Sequence, residues 1–194
     1  MGKQLAFYFE QKHCTGCMTC QIACKDKNDL EVGQLFRKVS EIVGGGYQEK
    51  GFAVIPEVYA FWLSISCNHC INPVCAISCP VGAIQKRLED GIVYIDQELC
   101  IGCLKCTRSC PYNALQYNSK TKKIDKCDFC RDLLAEGKPP VCVSACPMRV
   151  LDYGPLDTLR EKHGKVNRTK GMPDGDITQP ALVITPHRHA IINR

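Results

Sequence analysis

Cys100-Ile101-Gly102-Cys103-Leu104-Lys105-Cys106-Thr107-Arg108-Ser109-Cys110-Pro111 is the stretch from which the rest of this chain can be read. Its spacing, C-x2-C-x2-C-x3-C-P, is a ligand pattern for iron–sulfur clusters. Two intervening residues let the backbone curl so that successive sulfurs each meet a different iron. Glycine at 102 permits a close backbone approach that a larger residue obstructs. The gap from Cys106 to Cys110 is close to one helical turn, which carries the last sulfur away from the first three. Pro111 stops that turn.

Related runs occur three more times and use every remaining cysteine. Cys14, Cys17, Cys20 and Cys24 repeat the same spacing. Cys67, Cys70, Cys75 and Cys79 have a longer second gap, and Cys127, Cys130, Cys142 and Cys146 a much longer one. Sixteen cysteines thus fall into four groups of four with none left over, the number that four [4Fe–4S] clusters require.

The segments between the runs set the architecture. After Cys79-Pro80, two short strand-like runs joined through Asp90-Gly91 read as a hairpin that delivers the chain to Cys100. Ala114 to Tyr117 is a further strand candidate. Residues 60–117 therefore read as a complete two-cluster unit of the bacterial ferredoxin type. The other two groups read as halves of a second unit, with a strand candidate at Leu5 to Phe9 before Cys14 and another at Val150 to Tyr153 after Cys146-Pro147. The expected fold class is α+β: two nested ferredoxin-like 2[4Fe–4S] modules with loop-rich insertions and a C-terminal arm. The outer module is 1–59 with 118–160, the inner module 60–117, and the arm 161–194.

In ferredoxins of this type the fourth cysteine of each run serves the other run's cluster. That rule assigns Cys14, Cys17, Cys20 and Cys146 to one cluster, and Cys127, Cys130, Cys142 and Cys24 to the next. The inner module pairs Cys67, Cys70 and Cys75 with Cys110, and Cys100, Cys103 and Cys106 with Cys79. Two such modules back to back make a wire.

Other residues support this plan without adding catalysis. Lys12 and Lys25 flank the first group, and Arg108 and Arg149 lie within or just beyond their runs; each either offsets cluster charge or contacts a partner or solvent. His69, inside Cys67-Asn68-His69-Cys70, reads as a loop residue more than a donor to a cluster. Trp62, the one tryptophan, reads as a core or interface anchor. Gly44 to Gly46 mark a loop, and Val54 to Ile65, interrupted by Pro56, reads as extended chain. Arg131 to Val141 reads as a short helix stopped at Gly137. The tail beyond Leu159 is rich in Gly, Pro, Lys, Asn and Asp with one apolar patch, Ala181 to Ile184, and reads as an arm that orders on a partner.

Composition narrows the function. The formal charge of +5 counts thiols as neutral; four clusters at about −2 each bring the assembled protein to roughly −3. The basic residues then compensate cluster charge, and no nucleic-acid partner is expected. No stretch is long and apolar enough for a membrane span, and the chain start carries no export signal, so any export depends on a partner that bears one. Much of the stability is expected to come from the metal centres, and the chain is not expected to fold without iron and sulfide. No nucleophile elbow, phosphate-binding loop or dinucleotide fingerprint is present. A structural zinc module is the reading from another class, but zinc ribbons separate their cysteine pairs and do not follow four close cysteines with proline.

Beyond the cysteines, His13-Cys14-Thr15-Gly16-Cys17, Leu63-Ser64-Ile65-Ser66-Cys67-Asn68-His69-Cys70, Asp125-Lys126-Cys127-Asp128-Phe129-Cys130 and Leu151-Asp152-Tyr153-Gly154-Pro155 resemble the iron–sulfur subunits of the dimethyl sulfoxide reductase family, from about residue 5 to 165, with a poor match in the tail. The resemblance implies a non-catalytic electron-transfer subunit with four [4Fe–4S] clusters. It would stand between a membrane anchor oxidising menaquinol and a catalytic subunit carrying molybdopterin, with dimethyl sulfoxide or related S- and N-oxides as acceptor. It implies that the cluster of the first three cysteines lies nearest the molybdenum subunit and that of the third run towards the quinol. Nitrate-reductase relatives have tryptophan and a three-iron cluster at the position of Cys103, so cysteine there implies four irons. The chain would lie on the membrane through its partners, on the periplasmic face if co-exported with a twin-arginine catalytic subunit and otherwise on the cytoplasmic face. The same relay in a polysulfide, thiosulfate or tetrathionate reductase, or in a tungsten enzyme, stays open.

Overall fold

The computed structural model describes residues 3–192; the outer limits expected for the first module and the arm, 1–2 and 193–194, lie outside the described residues. In chain order the elements are β1 (Leu5–Glu10), α1 (Thr19–Lys27), β2 (Lys38–Gly44), β3 (Tyr47–Lys50), β4 (Ala53–Pro56), β5 (Tyr59–Ile65), α2 (Val74–Ile77), β6 (Ile84–Lys86), β7 (Val93–Ile95), α3 (Lys105–Ser109), β8 (Gln116–Asn118), β9 (Lys123–Asp125), α4 (Arg131–Ala135), α5 (Val141–Ser144), β10 (Leu151–Pro155), α6 (Leu156–His163) and β11 (Leu182–Thr185). Helices are short and strands come in small pairs, a mixed architecture in which the cysteine loops lie between hairpins.

β1 is the centre of the one three-stranded sheet among the described residues. It pairs antiparallel with β10, Phe7 opposite Tyr153, and parallel with β11, Phe7 opposite Leu182. A central strand is paired along both edges, and period-two alternation sorts its side chains onto two faces. Ala6 and Tyr8 face α6, packing with Leu156, Leu159, Ala181 and Val183. Phe7 and Phe9 face the other way, into the core that contains Cys20, Cys24, Cys127, Cys142 and Cys146. Phe7 stacks on Phe129 at 4.1 Å between ring centres. The second sheet, β2 with β5, places Leu63 in the same core. A third core gathers Ile84, Val93, Leu115 and Ile124 around Cys75 and Cys106.

The expected strand at Leu5 to Phe9, the hairpin through Asp90-Gly91, the extended chain before Ile65 and the short helix before Gly137 are all present. Two expectations are corrected. The strand at Ala114 to Tyr117 begins later, at Gln116, because its partner β9, which the sequence reading missed, ends at Asp125 opposite Gln116 and leaves buried Ala114 and Leu115 without a strand to pair with. The tail is not an arm waiting for a partner. β11 is hydrogen-bonded along β1, Val183 and Ile184 are fully buried, and Thr169 is buried too. Its polar composition hid a strand only four residues long whose partner lies some 175 residues away in sequence. Among the described residues no helix is long and apolar enough to cross a membrane.

Candidate metal centres

The structure brings the sixteen thiols together in four quartets. Cys14, Cys17, Cys20 and Cys146 line one cavity, Cys67, Cys70, Cys75 and Cys110 a second, and Cys79, Cys100, Cys103 and Cys106 a third. Each of these cavities is lined by four cysteines and otherwise mostly by apolar side chains and backbone. The remaining four, Cys24, Cys127, Cys130 and Cys142, are all buried, and each lies near enough to another of the four to oppose its ionisation. In order along the molecule the quartets are called first (Cys14, Cys17, Cys20, Cys146), second (Cys24, Cys127, Cys130, Cys142), third (Cys67, Cys70, Cys75, Cys110) and fourth (Cys79, Cys100, Cys103, Cys106). Each takes three cysteines from one run and the last cysteine of another.

Short helices explain the crossing. α1 carries Cys20 near its start and Cys24 near its end, and it packs on α5, which holds Cys142 and leads to Cys146. α2 and α3 repeat this with Cys75 and Cys79, and Cys106 and Cys110. The loops entering α1 and α3 are built alike. Gly16 and Gly102 have φ of +70° and +67°, and the residues before the helices, Met18 and Leu104, have φ of 60° and 63°. A Cβ on Gly102 would run into the Lys122 carbonyl, and one on Gly16 into the Trp62 indole. The close approach expected at Gly102 is therefore present, and Trp62 proves to be the cover over the first cysteine loop.

Cys142 bears electrostatically on Cys20, and Cys67 on Cys127, so the first quartet neighbours the second and the second the third. The two ends reach the surface: Cys17 and Cys103 are the exposed cysteines. Exposed Met18 and Met148 line the cavity that holds Cys17, and exposed Ile101 and Leu104 the cavity that holds Cys103.

Burial pushes the Cys24, Cys70 and Cys75 thiols up to about 12 and Cys106 up to about 11. Cys17 moves the other way, chiefly through the Thr19 hydroxyl, which donates to its Sγ at 3.4 Å. At Cys79 burial raises the thiol, but backbone N–H groups of Val81, Ile84, Ala83 and Gly82 outweigh it and the net direction is down. The buried thiols are neutral when free and must lose protons to bind metal.

The donor set fits iron–sulfur clusters. It is all thiol, every cysteine is free, and among the described residues no group of three or more His, Cys, Asp or Glu side chains is placed to hold a single ion. One zinc ion would draw its four sulfurs to about 3.8 Å of each other.

Lys12, Lys25, Arg149 and His69, whose roles the sequence left open or read as plain, make their contacts away from the thiols. Lys12 pairs with Glu10 at 3.4 Å, and Lys25 donates to the Leu30 and Glu31 carbonyls. Arg108 and Arg149 are exposed, the latter bonded to the Ser144 carbonyl. His69 is a packing residue: burial and then Lys126 hold its imidazole well below the usual range, Nδ1 accepts from the Val93 N–H at 3.0 Å, and the ring lies edge-on to Phe129. The residues that do reach the thiols were missed. Ser64 Oγ lies 3.3 Å from Cys20 Sγ, Thr178 from the tail meets Cys70, and buried Arg37 and Lys126 stand among the quartets. Lys126 lay in plain view beside Cys127; Arg37 and Thr178 lie outside any cysteine run and gave no local signal.

Small cysteine loops, thiol quartets and short paired helices define a ferredoxin-type, cluster-binding protein, and residues 58–156 match the family model described as "4Fe-4S dicluster domain". The protein is 46% identical to the B subunit of anaerobic dimethyl sulfoxide reductase from Escherichia coli (strain K12), over 98% of its own length and 92% of that relative. It is 43% identical to the subunit of the same name in Haemophilus influenzae, over 97% and 92%. It is 38% identical to the thiosulfate reductase electron transfer subunit PhsB of Salmonella typhi, over 81% and 79%. The protein belongs to the family of anaerobic dimethyl sulfoxide reductase B subunits, iron–sulfur subunits that transfer electrons. The alignment covers nearly the whole chain, beyond the span from about residue 5 to 165 on which the resemblance was read.

Proposed function

We propose that this chain carries four [4Fe–4S] clusters, one on each thiol quartet, and relays electrons from a quinol-oxidising membrane anchor to a molybdenum catalytic subunit that reduces dimethyl sulfoxide or a related S- or N-oxide. A [4Fe–4S] centre supplies one-electron storage with little change of shape. The chain's residues supply spacing, burial and charge. The observation that carries the reading is the sorting of all sixteen thiols into four quartets, each crossing between two runs. The nested-module plan, 60–117 within 1–59 and 118–160, is supported by β1 pairing with β10 across the inner segment and by the β6–β7 hairpin within it.

Surface exposure supports an assignment of the relay's two ends. Cys17 at one end and Cys103 at the other are open and rimmed by apolar side chains, as docking surfaces for two partners are, whereas the second quartet is buried throughout. By resemblance the first quartet faces the molybdenum subunit and the fourth the anchor. Attachment to both partners would hold the chain at the membrane, on the periplasmic or cytoplasmic face according to how the catalytic subunit is exported.

The likeness to PhsB supports a second reading, the same relay in a thiosulfate-reducing complex. The test is the complex purified anaerobically, reduced with dithionite and then mixed with dimethyl sulfoxide, trimethylamine N-oxide or thiosulfate while cluster absorbance is followed. Reoxidation by the S- or N-oxide is expected. Reoxidation by thiosulfate alone would transfer the assignment to the second reading.

A further inference from the structure

Arg37 enters the middle of the cysteine array from the segment that joins α1 to β2. It is 2% exposed. Its Nη1 donates to the Ser64 carbonyl at 2.9 Å and to Ser64 Oγ at 3.2 Å, its Nη2 donates to Ser66 Oγ at 3.1 Å, and its Cζ lies 4.8 Å from the centre of the Phe7 ring. Its buried Nε has no acceptor. Among the described residues no carboxylate pairs with it.

What the guanidinium faces is sulfur. Burial alone would lower its pKa, but Cys142, Cys20 and Cys127 act in the opposite sense and the net direction is up. The same Ser64 hydroxyl that accepts from Nη1 lies 3.3 Å from Cys20 Sγ, and the Arg37 backbone N–H reaches Cys24. Arg37 therefore stands beside both the first and the second quartet, reaching Cys20 through the Ser64 hydroxyl and Cys24 through its own backbone N–H.

Lys126 is the only other buried lysine or arginine among the described residues, at 6% exposure. Its Nζ donates to the Cys127 carbonyl at 2.8 Å and to the Val93 carbonyl, and it too has no carboxylate partner among the described residues. Its charge bears on Cys127 of the second quartet and on Cys75 and Cys110 of the third.

A cation removed from water without an anion is strongly unfavourable, and neutral oxygens soften that cost without cancelling it. Two such cations in one small chain, each lodged between two thiol quartets, point to negative charge that the thiols acquire only when they hold a cluster. We propose that Arg37 and Lys126 are fixed counter-charges of the relay, Arg37 raising the reduction potentials at the first and second quartets and Lys126 those at the second and third. Adding an electron makes a cluster more negative, and a cation held nearby in a medium of low dielectric favours that state. The second quartet, flanked by both, is the most strongly biased, and the fourth lies beyond either.

This inference rests on the four-cluster reading, so the test begins with iron content and paramagnetic resonance of the unaltered protein. Absence of clusters there would defeat that reading rather than this one. Potentiometric titrations followed by paramagnetic resonance are then run on anaerobically purified Arg37→Gln, Arg37→Lys and Lys126→Gln proteins. Glutamine keeps hydrogen bonding and removes charge; lysine keeps the charge and loses the fork.

Arg37→Gln is expected to lower two of the four potentials by about tenfold in the one-electron equilibrium, ~59 mV. Arg37→Lys should restore most of that, and Lys126→Gln should lower two, one of them shared with the Arg37 pair. Should Arg37→Gln assemble fewer clusters, the expected loss is confined to the first and second quartets and is rescued in Arg37→Lys; for Lys126→Gln it is confined to the second and third. Glutamine variants with unaltered potentials, an equal shift of all four clusters, or a lysine variant no better than glutamine would each overturn the proposal.

Discussion

At the scale of single residues, the close contacts made by glycine separate geometry from composition. Gly16 and Gly137 both have φ of +70°, but only Gly16 lies against another side chain, the Trp62 indole. Alanine at either position incurs the left-handed backbone cost of about 1–2 kcal/mol. Gly16→Ala must in addition displace the indole. Since Trp62 is the single tryptophan, its emission reports the displacement directly. Gly16→Ala is expected to change intensity and shift emission to the red, while Gly137→Ala leaves the spectrum as it was; equal spectra in the two variants would remove Trp62 from its place over the first cysteine loop. Gly102 was legible as a close-approach glycine because it sits inside a local motif. The Trp62 contact was not, because β5 and the first loop meet only in three dimensions.

At the scale of elements, local spacing and distant pairing divide what the sequence could tell. Cysteine grouping, the β6–β7 hairpin and the helix stopped at Gly137 depend on neighbours in sequence and could be read there. β11 could not. Its apolar patch was visible, but nothing near residue 182 says that its partner is β1, and the Gly, Pro and Asn around it have the composition of a loose tail. Packing decides the matter: Ile184 is fully buried beside Phe9, whereas Ile177, a few residues earlier, is 79% exposed. Ile184→Ala is expected to cost about 2–5 kcal/mol in unfolding of the cluster-loaded chain without partners, and Ile177→Ala less than about 0.5 kcal/mol. Thermal or denaturant unfolding measures both. A silent Ile184→Ala would mean that the tail folds only on another subunit.

At the scale of the whole molecule, four cysteine quartets take up positions that apolar packing fills in an ordinary domain of this size, and two of the three cores are built around them. Segments distant in sequence meet at the quartets, with residues 14–24 joined to 127–146 and 67–79 to 100–110. These cores therefore depend on what the thiols hold. Buried thiols near 12 have little tendency to ionise alone, and the two buried cations have little reason to be there unless the sulfurs are charged. Both features have one origin if every quartet carries a cluster. Quantitative iron and acid-labile sulfide analysis of the anaerobically purified protein reads that occupancy directly. The expected result is a brown protein with about sixteen irons and sixteen sulfides per molecule. A folded, colourless protein holding a few zinc ions, or one whose iron comes without sulfide, would contradict it.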